Sequence, residues 1–519
     1  MALLLAAPAL AAAVRQRPKA PELSEDRKEA IGRISADSLR GHLSFLASDL
    51  LEGRDTPSRG LDLAAEYIAA QFRRAGLEPI GDDGYFQTAR WRLAAPDPSS
   101  FSLEFRAGDE TVRVPADRIR PLRNLGSGKL ELGPLGVFKV VAGDPKAFDD
   151  LETEQVEGKA VVVELEDPTG LEPSKRMAAA RAVVRAFEQL DKLKAALIVG
   201  VGRDPEGGTG LGNGRLIDPE NPRGRGGRAV GAAGPPAVVV HDPAAVRMLD
   251  ALPGGKTEGT VALKLGAPVE REVKLRNVVG LLRGSDPALR DTYVLVTAHY
   301  DHIGIRAPVK GDKIYNGAND DGSGTVSVVE LASALATLKE RPRRSIVFAT
   351  FFGEEHGLLG SRYYARHPAV PVEKTVADVN LEQLGRTDDS EGPRVAGTSM
   401  TGFDYSDVGA IFKAAGEAEG IKVDKHPRNS DAYFGASDNQ ALADLGVPAH
   451  TICVAFAFPD YHGAGDHWDK VDFANMARVD RMVARALLMI ADDPEPPKWD
   501  AANPKAKRYR EAYEKLHSR

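Results

Sequence analysis

Three textures of apolar and polar positions follow one another along the chain. Near the start, "SADSLRGHLSFLASDLLEG" (35–53) spaces its leucines as a helix would. Leu39, Leu43 and Leu46 share a face, and Ser35 stands where a cap belongs. "LDLAAEYIAAQFRRAGLEP" (61–79) repeats the pattern with Ala64, Ala65, Ile68, Ala69 and Phe72, and Gly76 and Pro79 close it. From 97 to 272 the runs shorten to the β type, "KAVVVEL", "AALIVGVG" and "PAVVVHD", parted by Gly- and Pro-rich loops. One loop, 203–234, carries "GGTGLGNG" and "RGRGGR". No helical pattern follows those glycines, so a solvated loop is expected rather than a phosphate cradle.

From "VKLRNVVGLL" onward, strand, polar loop and helix alternate. Strands are expected at "TYVLVTA", "SIVFATFF", "VADVNLE", "RVAGT" and "AHTICVAF", and helices at "SGTVSVVELASALATLK" and "GFDYSDVGAIFKAAGEAEG". This order predicts an α/β sandwich around a largely parallel sheet. The last stretch, 493–519, is Pro-rich and then charged, which reads as a tail with one short helix.

Composition narrows the class. A chain of 519 residues implies two to four domains at ~150 residues each, and 42% apolar with 28% charged residues describes a globular protein. The net charge of −7, with no concentrated basic face, argues against nucleic acid as partner. Cys453 is the sole cysteine, so neither an internal disulfide nor a cysteine cage for zinc can form. The opening "MALLLAAPALAAA" (1–13) reads as an export signal cleaved near Ala13. No other run approaches the ~20 apolar residues of a membrane span. The expectation is a protein exported to a periplasmic or extracellular compartment.

The chemistry sits in polar clusters at strand ends: "TAHYDHIG", "NGANDDGSG", "FFGEEHG" and "NLEQLGR", with "PDYHGAGDHWDKVD" after the last apolar strand. Open α/β sheets bind ligands beyond the carboxyl ends of their strands, so distant clusters can meet in one crevice. Each offers a metal ligand: His299, Asp320 or Asp321, Glu355, Glu382 and His462. Histidine with carboxylate and no cysteine suits a catalytic ion such as zinc. Asp301, two residues after His299, could accept the other ring N–H. His299 and His302 could also form a ligand pair, and Asp378, two residues before Asn380 on the same strand face, rivals Glu382.

The ordered set "AHYDH", "GANDDGSG", "GEEHGLLGS", "NLEQLGR" and "YHGAGD", with "SDNQALADLGVPA" and the early "LEGRDTPSRG", resembles metallopeptidase family 28, the co-catalytic zinc aminopeptidases. The resemblance implies a three-layer α/β/α zinc-peptidase sandwich with a mostly parallel mixed sheet. The β-rich 97–272 stretch is similar to the family's protease-associated insert. The implied organisation is a signal at 1–13, a helical part of the peptidase domain at 23–96, the insert at 97–272, the catalytic domain at 273–492 and a charged tail at 493–519. Two zinc ions would be held, one by Asp320, Glu355 and His462 and the other by His299, Asp320 and Glu382. Glu354 would be the general base and Tyr461 the partner of the oxyanion. The position of Glu382 is more often aspartate in well-known members.

The resemblance implies removal of N-terminal residues from peptides. A carboxypeptidase or dipeptidase on this fold would need a cation for the substrate carboxylate, with Arg386 and Arg428 as candidates. A single-zinc glutaminyl cyclotransferase is a relative by fold. Retention of His299 and Glu355 beside His462 favours two metals, and retention of every ligand and the base argues against a non-catalytic relative.

Overall fold

The structure, a computed structural model, describes residues 19–123, 125, 128–140, 148, 151–164, 185–221, 234–309 and 311–518. The export-signal stretch and "RGRGGR" lie outside the described residues. No helix among the described residues is long and apolar enough to cross a membrane.

A ten-stranded mixed sheet organises the chain. Its main strands are β1 (Phe86–Ala95), β2 (Arg215–Ile217), β3 (Val269–Leu282), β4 (Tyr293–His299), β5 (Ser345–Phe351), β6 (Thr375–Leu381), β7 (Gly397–Met400), β8 (Lys422–Asp424) and β9 (Ala449–Cys453). The spatial order is β8-β7-β9-β6-β4-β5-β3-β1-β2, with Glu78–Pro79 pairing β3. The central pairs β5/β4, β4/β6 and β6/β9 are parallel, and the β3/β5, β1/β3 and β1/β2 pairs on one flank are antiparallel. "RVAGT" forms its strand three residues later than its start suggests, at β7.

Continuous apolar runs in β4 and β5 are explained by cover on both faces. Val294, Val296, Ile346 and Phe348 enter one core, while Leu295, Val347, Ala349 and Phe351 enter the other. The first core is closed by α1 (Ala36–Leu46), α2 (Arg59–Ala75), α3 (Gly324–Leu335), a helix at Val408–Glu419 and a long helix at Phe473–Asp492. Ser35 caps α1 through the Ser38 N–H at 3.1 Å, and Gly76 ends α2 in the left-handed region. The second core is closed by α4 (Leu359–Arg366), Asn439–Ala443 and the last helix, Lys507–His517. The 493–519 stretch therefore does not hang free: Trp499 and Tyr509 are buried and stacked at 5.1 Å.

The β-type runs of the middle stretch form a separate eight-stranded sheet that includes Ala160–Val163, Leu197–Val201 and Ala237–Val240. It has its own apolar clusters. One piece of that stretch leaves it: β2, from the glycine-rich loop, pairs with β1 of the large sheet.

Candidate metal centre

The parallel strands deliver their polar ends to one place. His299 is the last residue of β4, Glu354 and Glu355 follow β5, and Glu382 follows β6. Gly353, at φ 68°, turns the chain off β5, a conformation glycine adopts without strain. Asp320 lies in the turn entering α3, and the Asp320–Asp321 peptide bond is cis. His462 arrives on the loop after β9, with φ 50°.

Asp320 is the hub. Its Oδ1 lies 3.5 Å from His299 Nε2 and its Oδ2 lies 3.0 Å from His462 Nε2. His462 Nε2 is also 3.2 Å from Glu355 Oε2. Ligand atoms of His299, Asp320 and Glu382 lie within 4.8 Å of one another, and so do those of His302, Asp320 and Glu355. All five expected ligands are thus brought together. Asp378 is not: it accepts from Thr297 Oγ1 at 2.9 Å behind the sheet end, and burial raises its pKa to about 8. His302 is closer than its sequence position suggested, with Nδ1 2.8 Å from Glu355 Oε1.

These groups fit divalent cations. His299 Nε2, Asp320 Oδ2 and Glu355 Oε1 are buried and face one another's imidazole and carboxylate groups without meeting hydrogen-bond geometry, a costly state for polar atoms that a cation would relieve. Nitrogen and oxygen donors without sulfur suit zinc in a catalytic setting.

The two adjacent glutamates sit in opposite fields. Burial pushes the Glu354 carboxyl well above the usual range, aided by the Glu382 and Glu355 charges and opposed by His299. Burial and Asp320 also push Glu355 up, but the His302 and His462 imidazoles outweigh them and bring it down to about 2. His462 is desolvated too, yet Asp320 and Glu355 raise it to about 11.

Neighbouring residues hold this arrangement. Asp301 Oδ1 accepts from the Glu354 N–H at 3.0 Å and lies 3.5 Å from His299 Nδ1. The nearer acceptor for that ring is the Asp301 backbone carbonyl, at 3.2 Å, rather than the carboxylate expected from sequence. The Asp466 carboxylate accepts from the N–H groups of Asn319, at 2.9 Å, and Asp320, at 3.1 Å. Asn319 Oδ1 in turn accepts from Gly385 and Arg386 N–H, both at 2.8 Å, joining the Asp320 turn to the Glu382 loop. Arg54, buried in "LEGR", donates to the carbonyls of Leu46, Tyr300, Asn316 and Gly317 at 2.6–2.8 Å. Neither Asn319 nor Arg54 is marked by residue type as functional, and the signal for them is their position inside "GANDDGSG" and "LEGRDTPSRG".

The centre opens into a cavity of about 640 Å³. Its lining includes Tyr433, Phe456, Tyr461, His356 and Arg362. Tyr461 is 38% exposed and stacks on His462 at 4.1 Å. Arg386 is paired with Asp388 and Asp460, and Arg428 with Glu391; neither lines the cavity.

The model of peptidase family M28 matches residues 277–487. A probable zinc metalloprotease of Pyricularia oryzae is 35% identical over 235 residues, covering 42% of this chain and 43% of that protein. The chain thus spans less than half the length of that curated relative. Among solved structures, an aminopeptidase from Aneurinibacillus sp. strain AM-1 aligns with a TM-score of 0.53 at 18% identity, over 92% of this chain and 98% of its own. A zinc aminopeptidase from Bacillus subtilis aligns with a TM-score of 0.56 at 17% identity, over 89% and 96%. At such identities the likeness is one of fold.

Proposed function

We propose that the chain is an aminopeptidase, a reading supported by the match of residues 277–487 to peptidase family M28 and by the likeness to a probable zinc metalloprotease. It would hydrolyse the first peptide bond of its substrates at a centre of two zinc ions held by His299, Asp320, Glu355, Glu382 and His462. The observation that carries this reading is the split of one carboxylate, with Asp320 Oδ1 facing His299 and Oδ2 facing His462. A single bridging carboxylate between two ligand sets is what a paired-ion centre requires.

When bound, zinc supplies Lewis-acid activation of water and polarisation of the scissile carbonyl. Glu354 takes the proton of the attacking water and delivers it to the leaving amine. Tyr461, at the cavity mouth beside His462, donates its hydroxyl to the developing oxyanion. The aromatic wall of Tyr433 and Phe456, stacked at 5.6 Å, offers apolar surface to the substrate side chain. The two fold neighbours, both aminopeptidases, support the same reading. The export reading belongs to this proposal and rests on the 1–13 stretch alone.

Arg362 favours a second reading, since a guanidinium lining the cavity could hold a substrate's C-terminal carboxylate. A panel of free, N-blocked and C-amidated peptides separates the two. The aminopeptidase reading expects cleavage of free and amidated peptides and none of blocked ones. Equal cleavage of blocked and free substrates overturns it.

A further inference from the structure

The glycine-rich stretch of the middle segment reaches the large sheet, and from there it meets the element that carries the two glutamates through Asp55 on one side and at the end of α4 on the other. At its start it is tied to the eight-stranded sheet: the N–H groups of Thr209 and Gly210 donate to the Ile119 carbonyl at 2.9 and 3.0 Å. It then crosses to the ten-stranded sheet and adds β2 beside β1. The crossing is close, since a side chain at Gly214 would meet the Ala94 carbonyl oxygen at 2.5 Å, and φ there is +89°.

Two grips follow, one at each end of the Glu354 element. Asn213 Nδ2 donates to Asp55 Oδ2 at 2.6 Å, and Asp55 Oδ1 accepts from His356 Nε2 at 2.8 Å. His356 directly follows Glu355 and lines the cavity. At the far end, Asp218 Oδ2 accepts from Arg366 at 2.6 Å and Glu220 Oε2 pairs with His367 at 2.7 Å. Arg366 is the last residue of α4, and His367 is its C-cap. Within the loop itself, the amides of Gly357 and Leu358 turn back on the Glu354 carbonyl at 2.8 and 2.9 Å. That short turn sets the direction of Glu354, Asp301 holds its N–H at 3.0 Å, and the two ends of the element are held from outside.

We propose that residues 207–220 are a positioning strap for the Glu354 loop, with Asn213, Asp218 and Glu220 as its positioning residues. The inference rests on the reading of Glu354 as base, and it gives the middle segment a part in the reaction. Asn213, Asp218 and Glu220 are themselves exposed or half-buried, so their loss costs little stability. A reacting group displaced by ~1 Å can nevertheless cost up to ~100-fold in rate.

The test uses the full-length zinc-loaded chain with Asn213→Ala and with the pair Asp218→Ala and Glu220→Ala. Amide hydrogen exchange over 353–358 should quicken in both. With a cleaved peptide, kcat should fall about tenfold or more while KM stays within ~3-fold. Zinc content and melting temperature should stay at the wild-type values. Unchanged exchange at 353–358 overturns the proposal, and so does faster exchange with wild-type kcat. If the wild-type chain cleaves no peptide, the functional reading fails, while the exchange measurement still decides whether the strap holds the loop.

Discussion

The side chain of Asp301 joins the two halves of the proposed chemistry: its Oδ1 accepts the Glu354 N–H at 3.0 Å and lies 3.5 Å from the His299 ring. One buried carboxylate thus holds the backbone of the base and lies beside the ring of a ligand, whose nearer acceptor is the backbone carbonyl of the same residue. Removing it should disturb both. Asp301→Ala is expected to lower zinc affinity and kcat together, by ~10–100-fold. Competition with a chelator of known affinity, run beside steady-state kinetics, checks this. A variant that loses kcat with unaltered zinc affinity would show that His299 does not depend on Asp301.

Glu354 and Glu355 should separate under the same conservative change. Glu354→Gln should lower kcat by ~10²–10⁴ while zinc remains bound, because only proton transfer is lost. Glu355→Gln should weaken zinc binding, because a charged ligand paired with His462 at 3.2 Å is removed. Elemental analysis after dialysis, paired with kinetics, distinguishes the two. Full activity of Glu354→Gln sinks the base assignment.

Stability should fall on mild acidification through His450. Its ring is fully buried, accepting from Ser406 and donating to the Thr401 carbonyl, and burial lowers its pKa to about 4 despite that carbonyl. The unfolded chain carries an ordinary histidine near pH ~6.5. Between the two values the unfolded chain binds a proton that the folded chain refuses, so stability drops as pH falls through this window. The loss expected by pH ~5 is about 2 kcal/mol. Urea unfolding of the wild type and of His450→Asn at pH 7 and pH 5 tests it, and equal pH slopes for the two would exclude His450 as the source.

Arg54 should be worth more to the fold than its loop position suggests. Its guanidinium is buried and serves four carbonyls on three segments. Burial lowers its pKa to about 10, against the pull of Asp301, Asp466, Asp321 and Asp320, so it stays charged at neutral pH. Arg54→Met leaves those carbonyls unpaired and should cost ~3–5 kcal/mol. Denaturant unfolding with an unchanged slope is the measurement, and a loss under ~1 kcal/mol would show that the loops hold themselves.

Local periodicity and motif order determined much of this protein in advance. The leucines of α1 and the alanines of α2 lie on the faces their spacing predicts, because a helix repeats every 3.6 residues whatever it packs against. The apolar runs of β4, β5 and β6 marked strands, and the polar clusters behind them marked a site, because chain direction alone brings the ends of parallel strands together. Tertiary structure decided the rest. The choice of Glu382 over Asp378 depends on where β6 ends relative to β4, since both residues share a strand face. His302 comes close to Glu355 on a turn after β4 that Arg54, more than two hundred residues away, holds through the Tyr300 carbonyl and the His302 N–H. The contact between the glycine-rich stretch and the Glu354 element depends on two sheets meeting, and no local pattern encodes which loop an exposed asparagine will reach.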